Sequence, residues 1–411
     1  MKTICLSLLV LAGAVVGASG QSSRSDINPA LLYYQAFLVA PDPMPEADMD
    51  YMASRAGRSQ KLPERFGKTF AGYDNQFKLL RQAAHAAVPC DWGIDMSEGP
   101  AALLPHLARC KAVAQATRLR TLWQLQQNHQ AEACDDLLAA FTLARNVSRD
   151  GTIISTLTQQ ASEAINCATV AEYFGQFSPE IFQRLVQGLE AAPARGTVAA
   201  SVPKEKAFFH DWTVRKIMEL RQQHPGDDAK VMAGIHQFLG TESPEESETN
   251  LWERLTQAAG GTSDGLLKLL QEREQLYERL ALFLALPYPE FQSQVKEFRA
   301  ALETSPNPFI AMTLPGFLRA RTREFKIQVW LAMLHAAMEY KLHGETGVQS
   351  IPDPCGQGPF TYQRFILEGA DRGFSLKSAY TGSGFQEVLI FVEKGGPIFR
   401  VDGPFAGQAR P

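Results

Sequence analysis

Residues 131–174 read AEACDDLLAAFTLARNVSRDGTIISTLTQQASEAINCATVAEYF. Asp150-Gly151 breaks the stretch into two runs, 131–148 and 152–174, each long enough for five or six helical turns. On the second run Ile154, Leu157, Ala161, Ala164, Ala168 and Ala171 recur at three- and four-residue steps. That period predicts an amphipathic helix whose small-residue stripe lets a neighbouring helix approach closely. Upstream, 104–127 predicts another long helix, divided from 131–148 by the polar turn Asn128-His129-Gln130. Downstream, Ser178-Pro179-Glu180 is an N-cap followed by proline at the first helical position, which opens a fourth. Long helices joined by tight turns fold as antiparallel hairpins, tetratricopeptide-like by analogy, although the strict 34-residue consensus is missing. Such stacks present grooves and bind partners without chemistry.

The pattern weakens in both directions. Residues 31–38 (LLYYQAFL) start a helix that three prolines in 39–47 interrupt, and a helix is expected over about 75–87. The stretch 89–95 (PCDWGID) is turn-like. A Pro/Ala/Gly-rich connector, 192–205, separates an N-terminal helical-hairpin domain (21–191) from a second helical block (206–344). Inside that block the acidic run 241–248 reads as a solvated loop, and about 314–342 reads as its last long helix. After Gly344 the period drops to two. Phe360, Tyr362 and Phe365 form one run, Phe374, Leu376 and Tyr380 a second, 388–392 (VLIFV) a third and 398–401 (IFRV) a fourth. Glycine-bearing turns divide them, so 345–411 is expected to be a three- or four-stranded antiparallel meander packed on the preceding helix. The fold class is therefore mainly α, with stacked helical hairpins followed by a small C-terminal β module.

The helix end Tyr340-Lys341-Leu342-His343-Gly344, then Asp353-Pro354-x-Gly356, then Phe360-x-Tyr362, is similar to the helix-to-sheet region of type II secretion major pseudopilins. The likeness covers about 65 residues. The same ending, together with Cys90-Asp91-Trp92-Gly93-Ile94-Asp95 and Leu103-Leu104-Pro105-His106-Leu107, resembles exported bacterial proteins with long helical N-terminal parts. The pseudopilin likeness implies a helix packed on a short sheet, and an accessory place in a secretion or pilus-like apparatus. Two departures limit it. The chain lacks the prepilin leader and long apolar first helix that build filaments. Where that family binds calcium through acidic residues of its last loop, 381–387 offers only Glu387, so no calcium site carries over. Cys355 stands where the family has an aromatic or aliphatic residue.

The first twenty residues carry Lys2, an uncharged apolar run from Ile4 to Val16, and Ala18-Ser19-Gly20 before Gln21. This is the layout of a cleavable secretory leader, and the run is shorter than the roughly 20 residues of a span. An exported, periplasmic or extracellular protein with no membrane span after cleavage is expected. A net charge of −4 with basic residues interleaved among acids predicts no nucleic-acid partner. Beyond the leader remain Cys90, Cys110, Cys134, Cys167 and Cys355, an odd number. Cys134 lies 16 residues before Asp150 and Cys167 lies 16 after Gly151. The hairpin would bring both to one height, so a Cys134–Cys167 disulfide is expected, with Cys90–Cys110 as a second pair and Cys355 free.

Motifs for chemistry are sparse. No metal spacing, nucleophile elbow or phosphate loop occurs, so no metal or cofactor is expected. His335 and Glu339 stand four apart as an ordinary helical polar pair. Two clusters merit weighing. Asp91, Asp95 and Glu98 lie beside Trp92, where paired carboxylates could do acid–base work, or could simply cap a turn while Trp92 fills the core. Phe208-Phe209-His210-Asp211-Trp212 offers His210 as a base, against an aromatic core stripe with a satisfied polar pair. Weighed together, these features favour an exported non-enzymatic scaffold or binding protein whose partner is a protein or envelope component. A hydrolase using Asp91 and Asp95 with His210 is the alternative.

Overall fold

The computed structural model describes residues 26–42, 45–53, 62–239, 249–382 and 384–395. The expected leader, the acidic run 241–248 and the expected strand 398–401 lie outside them. Among the described residues four short helices come first: α1 (Pro29–Leu38), α2 (Glu46–Ala53), α3 (Arg65–Ala71) and α4 (Asp74–Ala84). The long helices follow as α5 (His106–Gln126), α6 (Gln130–Val147) and α7 (Ile153–Glu172), then α8 (Pro179–Ala191). Their ends obey local chemistry. Asn128 turns the chain between α5 and α6 with φ 64°, and Gly151 turns it between α6 and α7 with φ 78°. Thr152 and Ser178 cap α7 and α8, their hydroxyls accepting from Ser155 N and Ile181 N. Helices α5, α6 and α7 pack against one another in pairs, and α8 lies on α6.

The expected connector 192–205 is shorter than its composition suggests. Thr197 caps a helix α9 (Val198–Glu205), whose Val198, Ser201 and Val202 are buried. Composition missed it because Pro203 sits inside the helix; the chain then runs on through a π-helical turn, Lys206–Asp211. Beyond are α10 (Trp212–Gln223), α11 (Asp228–Leu239), α12 (Thr249–Ala258), α13 (Ser263–Ala285) and α14 (Tyr288–Glu303). A 36-residue α15 (Pro308–His343) and the short α16 (Glu345–Val348) complete the helical part.

The described residues end in an antiparallel meander of order β1-β2-β3: β1 (Thr361–Leu367), β2 (Ala370–Lys377) and β3 (Val388–Val392). Glu368 and Gly369, both at positive φ, form the two-residue β1–β2 turn. Tyr380, expected within the second strand, lies beyond it and donates from its hydroxyl to Thr322 O at 2.5 Å. Glu387 accepts from Trp330 Nε1 and pairs with Lys326 Nζ, each at 2.9 Å.

Three apolar clusters gather the described residues. The first gathers α3, α5 to α9, α13 to α15 and the sheet. A second joins α1 and α4 to Cys90, Trp92 and the facing sides of α5 and α6. The third joins α10 to α13 with Phe309 at the start of α15. Helix α7 lies deep in the first cluster, with the surface of its first turns inverted. Ala168 and Ala171 of its expected apolar stripe are buried and Leu157 and Ala164 half-buried, but Ile154 and Ala161 are exposed, whereas Ser155, Thr156, Gln159, Gln160, Ser162, Glu163 and Asn166 are buried.

Candidate functional site

Charge satisfies the Glu163 side of the inverted face of α7, while the buried side chains of Gln160, Ser162 and Asn166 meet no hydrogen-bond partner among the described residues. Glu163, wholly buried, receives Arg195 through Nε at 3.0 and 2.9 Å and Nη2 at 2.8 Å, with Arg145 Nε at 3.4 Å. Arg145 also donates to Leu189 O at 2.7 Å, closing the carbonyl end of α8. Gln159 accepts from Gly196 N at 2.9 Å. Just before α7 Asp150 accepts from Thr152 N at 2.9 Å and from Ser155 Oγ at 2.5 Å, and faces His106 Nε2 at 3.5 Å. Burial would raise the Asp150 carboxyl, but His106, Ser155 and Thr152 together hold it below its usual value. His106 stacks on Trp92 with ring centroids 4.5 Å apart, and Trp92 donates to Asn146 O.

The residues singled out in the sequence fall around this band without converging. Asp91 closes its own turn by accepting from Gly93 N at 3.0 Å, while its backbone pairs with the Asn28 side chain. Asp95 accepts from Ser97 N at 2.8 Å, and that bond lowers its carboxyl. Both carboxylates act as turn caps at the surface, the bland alternative for this segment, and Trp92 is buried as that alternative requires. His210 lies on the π-helical turn, buried edge-on to Tyr277 at 5.7 Å and 3.9 Å from Asp211. Burial, then the Arg273 charge, lowers the His210 imidazole; burial pushes the Tyr277 phenol up to about 12. What the fold does bring together is the two segments: Gly99 packs under the Trp212 ring so closely that a Cβ would sit 2.5 Å from it. His335 pairs with Glu190 at 3.4 Å and Glu339 with His343 at 3.6 Å, so the expected His335–Glu339 contact is replaced by neighbours on either side.

The expected disulfides are not formed in this structure; the five cysteines among the described residues are buried free thiols. The register explains the first pair. Cys134 faces α8, its Sγ 3.8 Å from Ile181 O, instead of the α6–α7 seam that the spacing argument assumed. Cys90 and Cys110 share the second cluster. Burial pushes the Cys90, Cys134 and Cys355 thiols up to about 12, which suppresses thiolate chemistry.

A concave surface exists elsewhere, as a cavity of about 710 Å³ between α4, α6 and α8. Its floor is the α6 stripe Asp135, Leu138, Ala139 and Thr142; Arg81 and His85 stand on one wall and Arg184 on the other. Adjacent aspartates fix the trough, because neighbouring helical residues project about 100° apart. Asp136 points inward, where it holds Arg120 Nε at 2.9 Å, Gln124 Nε2 at 2.8 Å and Arg81. Asp135 points outward and pairs with Arg184. Gly188 lets α8 descend onto α6, since a Cβ there would lie 2.5 Å from Leu138 Cδ2. The i, i+3, i+4, i+7 spacing of Asp135 to Thr142 is the sequence signal for this floor. Among the described residues no group of three or more His, Cys, Asp or Glu is placed to hold a metal, and no helix is long and apolar enough to cross a membrane. No protein-family model, curated protein or solved structure matches this chain.

Proposed function

We propose that this chain is an exported, non-enzymatic scaffold that holds a segment of an envelope protein in the trough between α4, α6 and α8. The observation that carries the reading is the trough itself: three helices fix its walls and floor, and Asp135 is the one carboxylate lining it among the described residues. A carboxylate pair for hydrolysis would need two acids converging on one space, and Asp91 and Asp95 are each engaged in their own turn. The cavity falls within the roughly 300–1,000 Å³ of binding clefts, enough for a few side chains of a docked segment.

A photo-crosslinking residue in place of Gln187, on the trough wall, tests this in the native cell against the same residue in place of exposed Glu297 on α14. The reading expects a discrete protein adduct at 187 and none at 297. Identical patterns at both positions, or no adduct at 187, would refute it. A second reading, an accessory component of a secretion or pilus-like apparatus, draws on the long α15 that leads into a three-stranded sheet. It expects the adduct to be a subunit of such an apparatus.

A further inference from the structure

We infer that the trough recognises an acidic helical segment, one whose small or apolar face meets the half-buried Leu138 and Gly188 while its carboxylates reach the two walls. The inference rests on the binding reading above and adds the chemistry of the partner. Two guanidiniums face each other across the floor, Arg81 from α4 and Arg184 from α8, with His85 one helical turn beyond Arg81. Each guanidinium carries five N–H donors, and each engages a single aspartate: Arg81 through Nη1 to Asp136 and Arg184 through Nη2 to Asp135. The remaining donors lie in half-exposed side chains, 32% exposed for Arg81 and 48% for Arg184.

The opposing acids differ in what they can offer. Asp136 is wholly buried and already engaged by Arg120, so its charge does not reach the trough. Asp135 is exposed with Arg184, and an exposed pair of this kind contributes so little that an incoming carboxylate can replace it. The carbonyl end of α8, which would repel an anion, is closed by Arg145 through Leu189 O at 2.7 Å and Pro193 O at 3.3 Å. A basic rim beside the half-buried Leu138 and Gly188 is thus left facing solvent. The floor is itself a helix flanked by two others, so a helical segment can lay a few side chains between the walls.

The test uses the full-length protein and three fluorescent helix-forming peptides matched in length and apolar face. One carries Glu at i and i+4, one carries Lys at those positions, and one carries Gln. Anisotropy titrations should show the Glu peptide binding at least tenfold tighter than the Lys peptide, with the advantage shrinking as salt rises. Arg184→Glu should remove that preference, and so should Gln187→Glu, which adds a negative charge to the wall without breaking an ion pair. Unchanged melting temperatures would confirm that both variants fold. If the Gln or Lys peptide binds the trough as tightly as the Glu peptide, the acidic specificity is wrong while the binding reading stands. If no peptide binds, the inference fails, and the Gln187 crosslink then decides the broader reading separately. A Glu-peptide affinity unmoved by both variants would place binding elsewhere and overturn the inference.

Discussion

Glu163 is the residue at which apolar patterning and structure part company. An i, i+3, i+4 count puts the alanines of α7 inside, yet the first turns of α7 turn Ser155, Gln159 and Glu163 inward. A buried carboxylate is costly alone and tolerable when guanidiniums and hydrogen bonds surround it. Here those partners are Arg145, from the preceding helix, and Arg195, which is 32 residues away in sequence. Asp150 follows the same logic at the N-terminus of α7, where the helix dipole adds to its hydrogen bonds. Its carboxyl is depressed in the folded chain, so its contribution is present above the unfolded value near 3.9 and is lost as pH falls through the folded one. Asp150→Asn should therefore cost about 1–3 kcal/mol at pH 7 and flatten the stability curve below about pH 4. Urea titrations at pH 7 and pH 3 read both effects. If the two proteins lose equal stability on acidification, the Asp150 account is wrong.

Among the elements, the turns obeyed local rules and the registers did not. Asn128, Gly151 and the Ser178-Pro179 cap sit where backbone chemistry puts them, because each acts within four residues of itself. The Cys134–Cys167 expectation failed because equal distance from a turn fixes height along two helices and leaves their rotation free. Rotation was set by Asp136, which pulls one side of α6 toward Arg120, and by Gly188, which lets α8 cover the side bearing Cys134. The sheet is seated by a similar close approach. The short turn Phe174–Gln176 meets the end of β3 at Gly175, where a Cβ would lie 2.2 Å from Glu393 O. Gly175→Ala must displace backbone instead of a flexible side chain. It should destabilise the protein by about 1–3 kcal/mol, as overpacking does. A denaturation midpoint equal to that of the native chain would show that the contact is looser than drawn.

At the scale of the whole molecule, the change from helical to strand period at Gly344 marks a change of element inside a shared core. Phe374 stacks on Phe391 at 5.0 Å, and both rings meet Phe174 edge-on at 5.4 and 5.3 Å. Tyr340 of α15 lies 4.1 Å from Phe374. Removing 345–411 would strip these aromatic partners from α7 and α15 and leave Phe174 and Tyr340 facing water. Several buried aromatics at roughly 1.5–3 kcal/mol each are comparable with the entire stability of an ordinary domain. A truncated chain ending at residue 344 should consequently lose cooperative unfolding and bind a hydrophobic dye. A sharp, native-like melting transition in that fragment would show that the helical body is self-sufficient.

By itself the sequence determined the helical class, the positions of α5 to α8 and of most of α15, the turns between α5 and α7, the Ser178 cap, and the antiparallel strands after Gly344. Those features depend on hydrogen bonds and side-chain periods within a few residues, which a linear reading contains. Tertiary structure decided which face of α7 is buried, that 198–205 is helical beside its proline, where each thiol points, and that a trough opens between α4, α6 and α8. These outcomes depend on pairs such as Glu163 with Arg195 and Arg81 with Asp136, distant in sequence and joined only when helices dock. The cost of burying a charge is settled by a partner elsewhere in the chain, so the spacing of residues around that charge leaves it undetermined.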